Sequence, residues 1–394
     1  MSFLRDDLAQ LAAYQSPHLT EEEAAKAAIA PALDPLDTNE SPIDLPAELK
    51  AALAEQYKAE IAANRYPDSD QLALKQAVLK YATSTGQIPS GYAASDLIST
   101  ENITLGNGSD ELIRSVIMAT CLGNHGSILV ASPTFSMYRI LAKTLGVQAH
   151  DAGRTENFEV DTEAAQKIIE SADASGPAVR ALFMVHPNSP TGNALTQREL
   201  DWLKQLPEDV LIVVDEAYFE FSGQTTIAEA LGRPNWLVTR TFSKAFRLAA
   251  HRVGYGIAHP DVIAALEKLR LPYNLPSFSQ AAAQAALAHS EALLAQIPTL
   301  ISERDRLLQA LRNHPYLQVW PSDSNFVYAR LSDRGLAALK ISQQADGLHE
   351  IFTRLRGKGT LIRHTGGGLR ISIGTAAENQ RTLVNMQQAL ETQP

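Results

Sequence analysis

The amino-acid sequence predicts an α/β protein with a mostly parallel central sheet flanked by helices, followed by a smaller α+β domain. Runs of branched apolar residues alternate with helical patterns between about residues 67 and 278, which is typical of parallel βαβ units. Several of these runs are apolar throughout, as expected for strands buried on both faces. After residue 278 the alternation stops, and a long Ala- and Leu-rich helical pattern begins at Gln280.

Five apolar runs are interpreted as strands of the central sheet, and polar residues follow each of them. The runs are Ile103–Leu105, Ile128–Ala131, Ala181–Val185, Leu211–Val214 and Trp236–Thr239. In open α/β sheets, ligands bind beyond the carboxyl ends of the strands. The polar residues that follow these runs are therefore predicted to converge on one site.

The C-terminal part is predicted to contain strands at Val319–Arg330 and Leu369–Ile373. Together with the break near residue 278, this pattern predicts an N-terminal arm (1–40), a large α/β domain (41–278) and a small α+β domain (279–394).

Composition indicates a globular protein and excludes several partners. The 394 residues are 45% hydrophobic and 20% charged, which is not a disordered composition. The net charge of −10 disfavours nucleic acid or an anionic membrane as a partner. No apolar run approaches the roughly 18 residues that span a bilayer. The first residues lack a signal-peptide layout, and Cys121 is the only cysteine, so we expect a cytoplasmic protein without a disulfide and without a metal site.

The most informative residue is Lys244, which follows the fifth apolar run. It lies beside Ser243 and near Thr241, and Arg252 follows eight positions later. This arrangement suits an amine that holds the aldehyde of pyridoxal phosphate while its neighbours bind the phosphate. A solvated lysine in a polar turn is the ordinary alternative for this motif alone.

Two other strand ends suggest partners for the same cofactor. Ser109 and Asp110 open a predicted helix, where backbone amides favour a phosphate, although Ser109 is equally suited to act only as a helix cap. Asp215 ends an apolar run, where it is placed to pair with a pyridinium nitrogen or to act as a loop carboxylate.

Further candidates are polar or aromatic residues beside the remaining runs. Asn188 and Tyr218 are suited to bind the phenolic oxygen of the cofactor, and Phe135 to cover its ring, although core packing is the alternative for Phe135. Arg370 lies in an apolar strand, where a guanidinium needs an anion. That anion is either a substrate carboxylate or phosphate, or an internal salt-bridge partner.

Seven motifs occur in a fixed order over nearly the whole chain: Asp37–Pro42, Asn64–Pro67, Gly108–Glu111, His186–Gly192, Val214–Tyr218, Arg240–Phe246 and Leu369–Gly374. With these motifs the chain resembles the fold-type I aminotransferases, which use pyridoxal phosphate, and within them the histidinol-phosphate aminotransferases.

The resemblance implies a role for each matching residue. Lys244 would hold the cofactor and then move a proton between the substrate and the cofactor, with Asp215 at the pyridine nitrogen. The other cofactor contacts would come from Ser109, Asp110, Phe135, Asn188, Tyr218, Thr241, Ser243 and Arg252.

The resemblance also implies how substrates bind and how subunits assemble. Arg370 and Arg363 would hold the anionic end of the substrate, and Tyr14 and Asn39 would close over it. Tyr66 would reach the cofactor phosphate of a neighbouring subunit, which implies a homodimer. The implied reaction converts L-histidinol phosphate and 2-oxoglutarate into imidazole-acetol phosphate and glutamate, a step of histidine biosynthesis.

Three other functions remain compatible with parts of the pattern. An aminotransferase for aromatic or other amino acids, or a phosphothreonine decarboxylase, would keep the cofactor residues and differ in the substrate pocket. A transcription regulator with this type of domain would need an additional DNA-binding domain, which the sequence does not show. The chain departs from the family pattern at Arg247 and Ala250, and we hypothesise that Arg247 and His251 point outward or into the dimer contact.

Overall fold

The computed structural model describes residue 3 and residues 33–84 and 98–391 of the chain. Most of the predicted arm, including Tyr14, lies outside the described residues.

Up to residue 267 the described chain alternates strands and helices as the apolar runs predict. In chain order these elements are β1 (Asp34–Pro35), α1 (Ala47–Glu60), α2 (Leu72–Ser84), β2 (Ile103–Asn107), α3 (Ser109–Cys121), β3 (Ser127–Val130), α4 (Met137–Thr144), β4 (Ala149–Asp151), α5 (Thr162–Ser175), β5 (Val179–Val185), α6 (Gln197–Leu203), β6 (Leu211–Asp215), α7 (Phe219–Ser222), α8 (Ile227–Gly232), β7 (Trp236–Thr241), β8 (Val253–Ala258) and α9 (Pro260–Glu267).

The remaining elements are α10 (Ser277–Ala288), α11 (Ser290–Leu294), α12 (Ile297–Arg312), β9 (Leu317–Val319), β10 (Phe326–Leu331), α13 (Asp333–Leu339), α14 (Gln344–Gly357), β11 (Thr360–Leu361), β12 (Arg363–Thr365), β13 (Gly368–Ser372) and α15 (Ala376–Leu390). Within the described parts of the chain, no helix is long and apolar enough to cross a membrane.

The central sheet confirms the predicted α/β class. Among the described residues it has seven strands in the order β2-β8-β7-β6-β5-β3-β4. All neighbours are parallel except β8, which is antiparallel to both β2 and β7. Because β8 runs in the opposite direction, its first residue, Val253, lies at the same edge as the carboxyl ends of the other strands. Arg252 is placed at that edge for this reason.

The strands are buried on both faces, as their continuous apolar runs predict. Successive side chains of a strand point to opposite faces, and Leu182 and Met184 of β5 join one hydrophobic cluster whereas Phe183 and Val185 join the other. The sheet therefore separates two hydrophobic cores.

Two predictions for the C-terminal part need correction. The run Val319–Arg330 is not one strand, because a turn at residues 320–325 reverses the chain and pairs β9 antiparallel with β10. The hydroxyl of Ser322 fixes this turn by donating to the carbonyl of Phe326 at 2.6 Å. The helical pattern predicted from Gln280 starts earlier, at Ser277, and is divided into α10, α11 and α12. A second, four-stranded antiparallel sheet has the order β12-β13-β10-β9.

The end of the predicted arm is part of the folded body. Asp34 and Pro35 pair in parallel with β11, and the buried carboxylate of Asp34 forms an ion pair with Arg381. Leu36 is 3% exposed and belongs to a hydrophobic core. This anchored segment leads directly into the site through residues 37–39.

Candidate active site

The carboxyl ends of the central strands align at one edge of the sheet. The last residue of β6, Asp215, is paired with Val185 at the end of β5 and with Thr239 near the end of β7. The polar residues that follow these parallel strands therefore lie at the same edge of the sheet.

Hydrogen-bond donors suited to a phosphate group lie together at the carboxyl edge of the sheet, where β8 is flanked by β2 and β7. Helix α3 begins at Ser109, and the first amides of a helix have no partner within it. Arg252 has one guanidinium nitrogen 3.4 Å from the hydroxyl of Ser243 and another 3.2 Å from the carboxylate of Asp110. The hydroxyl of Thr241 donates to that of Ser243 at 2.9 Å. Five residues predicted to bind the phosphate are thus brought together.

Two glycines make this close approach possible. A Cβ atom at Gly108, whose φ is +73°, would lie 2.5 Å from the guanidinium of Arg252. A Cβ atom at Gly254 would lie 2.5 Å from the backbone nitrogen of Ser109. Glycine at both positions therefore lets β8 pack directly against the start of α3 and leaves the cradle open.

Lys244 projects into the centre of the site. Its ammonium donates a hydrogen bond to the carbonyl of Thr38 at 2.8 Å. Burial, together with the positive charge of Arg370, lowers the pKa of Lys244 to about 8. A substantial neutral fraction near neutral pH makes this amine suited to react with an aldehyde and to accept a proton.

Asp215 is 3% exposed and lies under the same site. Burial raises its pKa to about 6, against the opposing effect of a hydrogen bond from Tyr138. The Tyr138 hydroxyl donates to Asp215 at 2.9 Å, and the amide of Ala217 approaches the other oxygen at 3.2 Å. A buried carboxylate held in this way favours a cationic partner.

Sequence reasoning missed Tyr138. Its ring stacks on Phe183 with centroids 4.8 Å apart and meets the edge of Phe135 at 5.5 Å. Nothing in the local sequence signals its contact with Asp215, which is 77 residues away.

Asn188 is buried, and its amide binds neighbouring loops. The amide oxygen accepts from Arg154 at 3.1 Å and from Thr134 at 3.2 Å, and the amide nitrogen donates to Thr191 at 2.6 Å and to the carbonyl of Pro133 at 3.0 Å. Arg154 was also missed, because a single arginine in a polar loop gives no sequence signal of its burial.

Tyr218 and Asn39 lie together at the wall of the site. The side-chain amide of Asn39 donates to the hydroxyl of Tyr218 at 2.9 Å, and Ser372 and Asn325 bind other atoms of Asn39. Asn39 is 1% exposed. These bonds hold Asn39 beside Tyr218 in this structure; its closing over the substrate stays a prediction.

Arg363 and Arg370 are direct partners on the neighbouring strands β12 and β13. Side chains of opposed residues in an antiparallel pair lie on the same face. Arg370 donates to the hydroxyl of Ser189 at 3.2 Å and to the carbonyl of Asp37 at 2.6 Å. These contacts turn Arg370 towards the edge that bears Lys244, and Arg363 starts from the same face of the sheet.

Tyr66 is 80% exposed, and its ring stacks on Tyr273 with centroids 4.5 Å apart. Asn274 follows Tyr273 in the sequence, and its backbone carbonyl accepts a hydrogen bond from the side chain of Asn107 at the end of β2. Tyr66 therefore lies on an outer surface that adjoins the start of α3.

Arg247 and His251 have contacts at the periphery. Arg247 donates to the carbonyls of Asp44 and Leu293 at 3.1 and 2.8 Å, and His251 packs on Phe278 with ring centroids 5.5 Å apart. These contacts are in line with the hypothesis that both side chains point outward; their place in a dimer contact stays a prediction.

The residues fit pyridoxal phosphate. The cradle at Gly108 and Gly254 presents amides, hydroxyls and a guanidinium to a dianion, while a partly neutral lysine and a buried carboxylate lie beyond it. A phosphate, an aldehyde and a protonated ring nitrogen complement these three groups in that order.

Comparisons with known proteins agree with this geometry. Residues 31–385 match the model of the family described as aminotransferase class I and II. The histidinol-phosphate aminotransferase of Trichodesmium erythraeum is 54% identical over 97% of this chain and 98% of that protein, and the one of Thermosynechococcus vestitus is 50% identical over 100% and 98%. The solved structure of histidinol-phosphate aminotransferase from Sinorhizobium meliloti in complex with pyridoxal-5'-phosphate has a TM-score of 0.79, at 22% identity over 99% and 98% of the two chains. The chain therefore belongs to the class I and II aminotransferases, among the histidinol-phosphate aminotransferases.

Proposed function

We propose that this enzyme transfers an amino group between L-histidinol phosphate and 2-oxoglutarate, giving imidazole-acetol phosphate and glutamate, in histidine biosynthesis. The observation that carries the proposal is the opposed pair Arg363 and Arg370, of which Arg370 is close enough to Lys244 for its charge to lower the pKa of that amine. Relatives that are 50–54% identical over nearly their full length bear the name of this activity.

Pyridoxal phosphate, when bound, supplies an aldehyde for the amino group and a ring that withdraws electrons from the substrate's α-carbon. We infer that the cradle of Ser109, Asp110, Thr241, Ser243 and Arg252 holds its phosphate. Asp215 is the acceptor for the protonated ring nitrogen, and Tyr138 keeps the Asp215 carboxylate oriented. Phe135, Asn188 and Tyr218 are the proposed contacts to the ring and its phenolic oxygen.

Lys244 is the proposed catalytic acid and base. Because its pKa is lowered to about 8, the amine is able to take a proton from the substrate's α-carbon and return one during turnover near neutral pH. The carbonyl of Thr38 accepts a hydrogen bond from the ammonium and thereby orients it.

In the proposed reaction, one pocket must bind a phosphate on one substrate and a carboxylate on the other, and two arginines are suited to bind both. A guanidinium fork forms two parallel hydrogen bonds with either a phosphate or a carboxylate. We propose that Arg370 and Arg363 bind the phosphate of L-histidinol phosphate in one half of the reaction and a carboxylate of 2-oxoglutarate in the other.

We also propose a homodimer in which Tyr66 completes the phosphate site of the partner subunit. Tyr66, Tyr273, Tyr57, Phe278 and Leu271 are large apolar or aromatic residues with between 38% and 80% of their surface exposed. Tyr66 packs on Tyr273, and Tyr57 on Phe278. Exposed apolar clusters of this kind mark interaction surfaces.

Because Cys121 is a free, buried thiol, we propose a reducing, cytoplasmic location.

The proposed function is tested by following the nitrogen atom. L-Histidinol phosphate labelled with ¹⁵N at its amino group is incubated with the cofactor-loaded enzyme and 2-oxoglutarate, and the glutamate is analysed by mass spectrometry. We expect ¹⁵N-glutamate from the wild-type protein and none from Lys244→Ala. Label transfer from phenylalanine at a higher kcat/KM, or carbon dioxide release from phosphothreonine, would instead assign one of the alternative activities.

A further inference from the structure

The two arginines of the proposed substrate site are carried by the hairpin of β12 and β13. Its turn is formed by Gly366 and Gly367, with φ values of +60° and +73°. Any movement of this turn along the strand direction changes where Arg363 and Arg370 stand relative to Lys244. What holds the turn in place therefore bears on substrate binding.

The ring of Tyr328 lies across the hairpin. Tyr328 is paired with Arg370 in the ladder between β10 and β13 and has no exposed surface. A Cβ atom at Gly368 would lie 2.4 Å from the Cζ atom of Tyr328, so the phenol fills the space that a side chain at position 368 would take. The Tyr328 hydroxyl donates to the carbonyl of Gly366 at 2.6 Å and lies 3.3 Å from that of Thr365.

The other side of the turn is set against the loops at the cofactor end of the sheet. A Cβ atom at Gly366 would lie 2.8 Å from Pro133 and 2.8 Å from Pro190. These prolines follow β3 and β5, and Ser189, which binds Arg370, belongs to the second loop. The turn is thus held between Tyr328 and the loops that border the site.

A second donor reaches the same carbonyl. Arg330, on the same face of β10 as Tyr328, has a guanidinium nitrogen 3.2 Å from the oxygen of Gly366. Its guanidinium carbon lies 5.2 Å from the ring centre of Phe158 and 5.6 Å from that of Trp320, at distances where an aromatic ring attracts a cation. Of these two donors to the Gly366 carbonyl, only Arg330, at the longer distance, would remain after removal of the Tyr328 hydroxyl.

We propose that Tyr328 is a positioning residue that sets where the arginine pair stands and so determines the preference for substrates with an anionic distal group. It acts through the turn and the hairpin, not by contact with the substrate. Recognition of a phosphate by two guanidinium groups demands placement within about 0.5 Å, and the hydrogen bond of the buried Tyr328 hydroxyl restrains the turn that carries them. The inference rests on the proposed function in its choice of substrate.

The test is Tyr328→Phe in the cofactor-loaded enzyme, with Tyr316→Phe, a tyrosine of the same sheet region beside β9, as the matched control. KM and kcat are measured with L-histidinol phosphate and with L-histidinol, the same amine without the phosphate. Loss of one buried hydrogen bond predicts a roughly tenfold higher KM for L-histidinol phosphate, with kcat within about twofold and kcat/KM for L-histidinol unchanged. An equal loss for both amines, or no change for either, overturns the proposal.

Two further measurements keep the inference separate from the identity of the amine. The dissociation constant of glutarate, a dicarboxylate without an amine, is expected to rise about tenfold in Tyr328→Phe, whichever amine the enzyme prefers; an unchanged constant overturns the positioning role.

Gly368→Ala keeps the hydroxyl but displaces the ring, because its Cβ would lie 2.4 Å from Tyr328. It is expected to reproduce the selective rise in KM, and a variant that binds L-histidinol phosphate like the wild type contradicts the proposal. Failure of the wild type to use L-histidinol phosphate would reject the proposed function alone.

Discussion

At the scale of single residues, the site depends on two buried ionisable groups whose charged forms are both disfavoured by burial. Burial lowers the pKa of Lys244 and raises that of Asp215. Each shift acts towards the neutral form, so the amine becomes more reactive and the carboxylate would gain from a cationic partner. A cofactor with an aldehyde and a protonated ring nitrogen satisfies both groups.

The lowered pKa of Lys244 predicts a specific pH dependence for cofactor capture. Only the neutral amine attacks an aldehyde. The rate at which the apoprotein binds pyridoxal phosphate covalently, trapped by borohydride, should rise with pH and level off above about 8, whereas an ordinary lysine would continue to gain up to about 10.4. Arg370→Gln removes a neighbouring positive charge and should move the midpoint upwards. A rate that still climbs between pH 9 and 10 in the wild type would contradict the shift.

Asp215→Asn is expected to stabilise the apoprotein at neutral pH. The folded-state pKa of about 6 exceeds the ordinary value of 3.8, so the folded protein binds more protons than the unfolded chain between these values. The contribution of Asp215 to the free energy of unfolding of the wild type therefore falls as pH rises from about 4 to 6, by on the order of 2–3 kcal/mol. The difference in Tm between Asp215→Asn and wild type should grow over this range in favour of the variant. The exposed control Asp201→Asn should show no such trend, and a pH-independent difference for Asp215→Asn would refute the assignment.

Motifs alone predicted many of the residues that meet at the site because these residues lie at or just after the end of a strand. Lys244, Asp215 and Ser109 could be placed from local sequence and the rule that ligands bind at the carboxyl edge. Tyr138 and Arg154 could not, since their roles arise from contacts with Asp215 and Asn188 that are distant in sequence.

At the scale of elements, the single antiparallel strand β8 shapes the phosphate cradle. Its direction brings Arg252 to the carboxyl edge, and Gly254 lets it pack against the first turn of α3. The sequence predicted the parallel strands from their apolar runs, but it gave no sign that β8 is reversed. The division of Val319–Arg330 into β9 and β10 was overlooked, although the polar residues 321–325, which begin with a proline, favour a turn; the sequence does not show which strands pair across it.

Gly254→Ala should weaken cofactor binding. The added methyl group would lie 2.5 Å from the Ser109 nitrogen, so the start of α3 and its free amides must move away from β8. We expect the dissociation constant of pyridoxal phosphate, measured by fluorescence titration of the apoprotein, to rise at least about tenfold, equivalent to about 1.4 kcal/mol. Gly232→Ala is the matched control, because no atom lies within 4 Å of its Cβ position. Equal cofactor affinity of the two variants would show that the close packing is not required.

At the scale of the whole molecule, the proposed dimer divides each site between two subunits. The exposed pair Tyr66 and Tyr273 adjoins the end of β2, so a partner packed on this surface would bring its own Tyr66 close to the neighbouring cradle. This arrangement makes subunit mixing a direct test of shared sites.

Mixing Lys244→Ala and Tyr66→Ala subunits should restore activity. A mixed dimer has one site with both residues intact and one site with neither, so a statistical 1:1 mixture, in which about half of the dimers are mixed, should recover roughly a quarter of the wild-type rate. Each variant alone should be much less active than the wild type. Activity no greater than the mean of the two variants would exclude a Tyr66 contribution across the interface.

The central claim, transamination of L-histidinol phosphate, is tested most directly by one half of the reaction. The cofactor-loaded enzyme is mixed with L-histidinol phosphate without any keto acid, and the visible absorbance of the bound cofactor is followed. We predict that the band is lost as the pyridoxamine form appears at micromolar substrate, with no such response to phenylalanine or phosphothreonine. A band that persists with L-histidinol phosphate but disappears with another amine would contradict the claim and assign the enzyme to that amine.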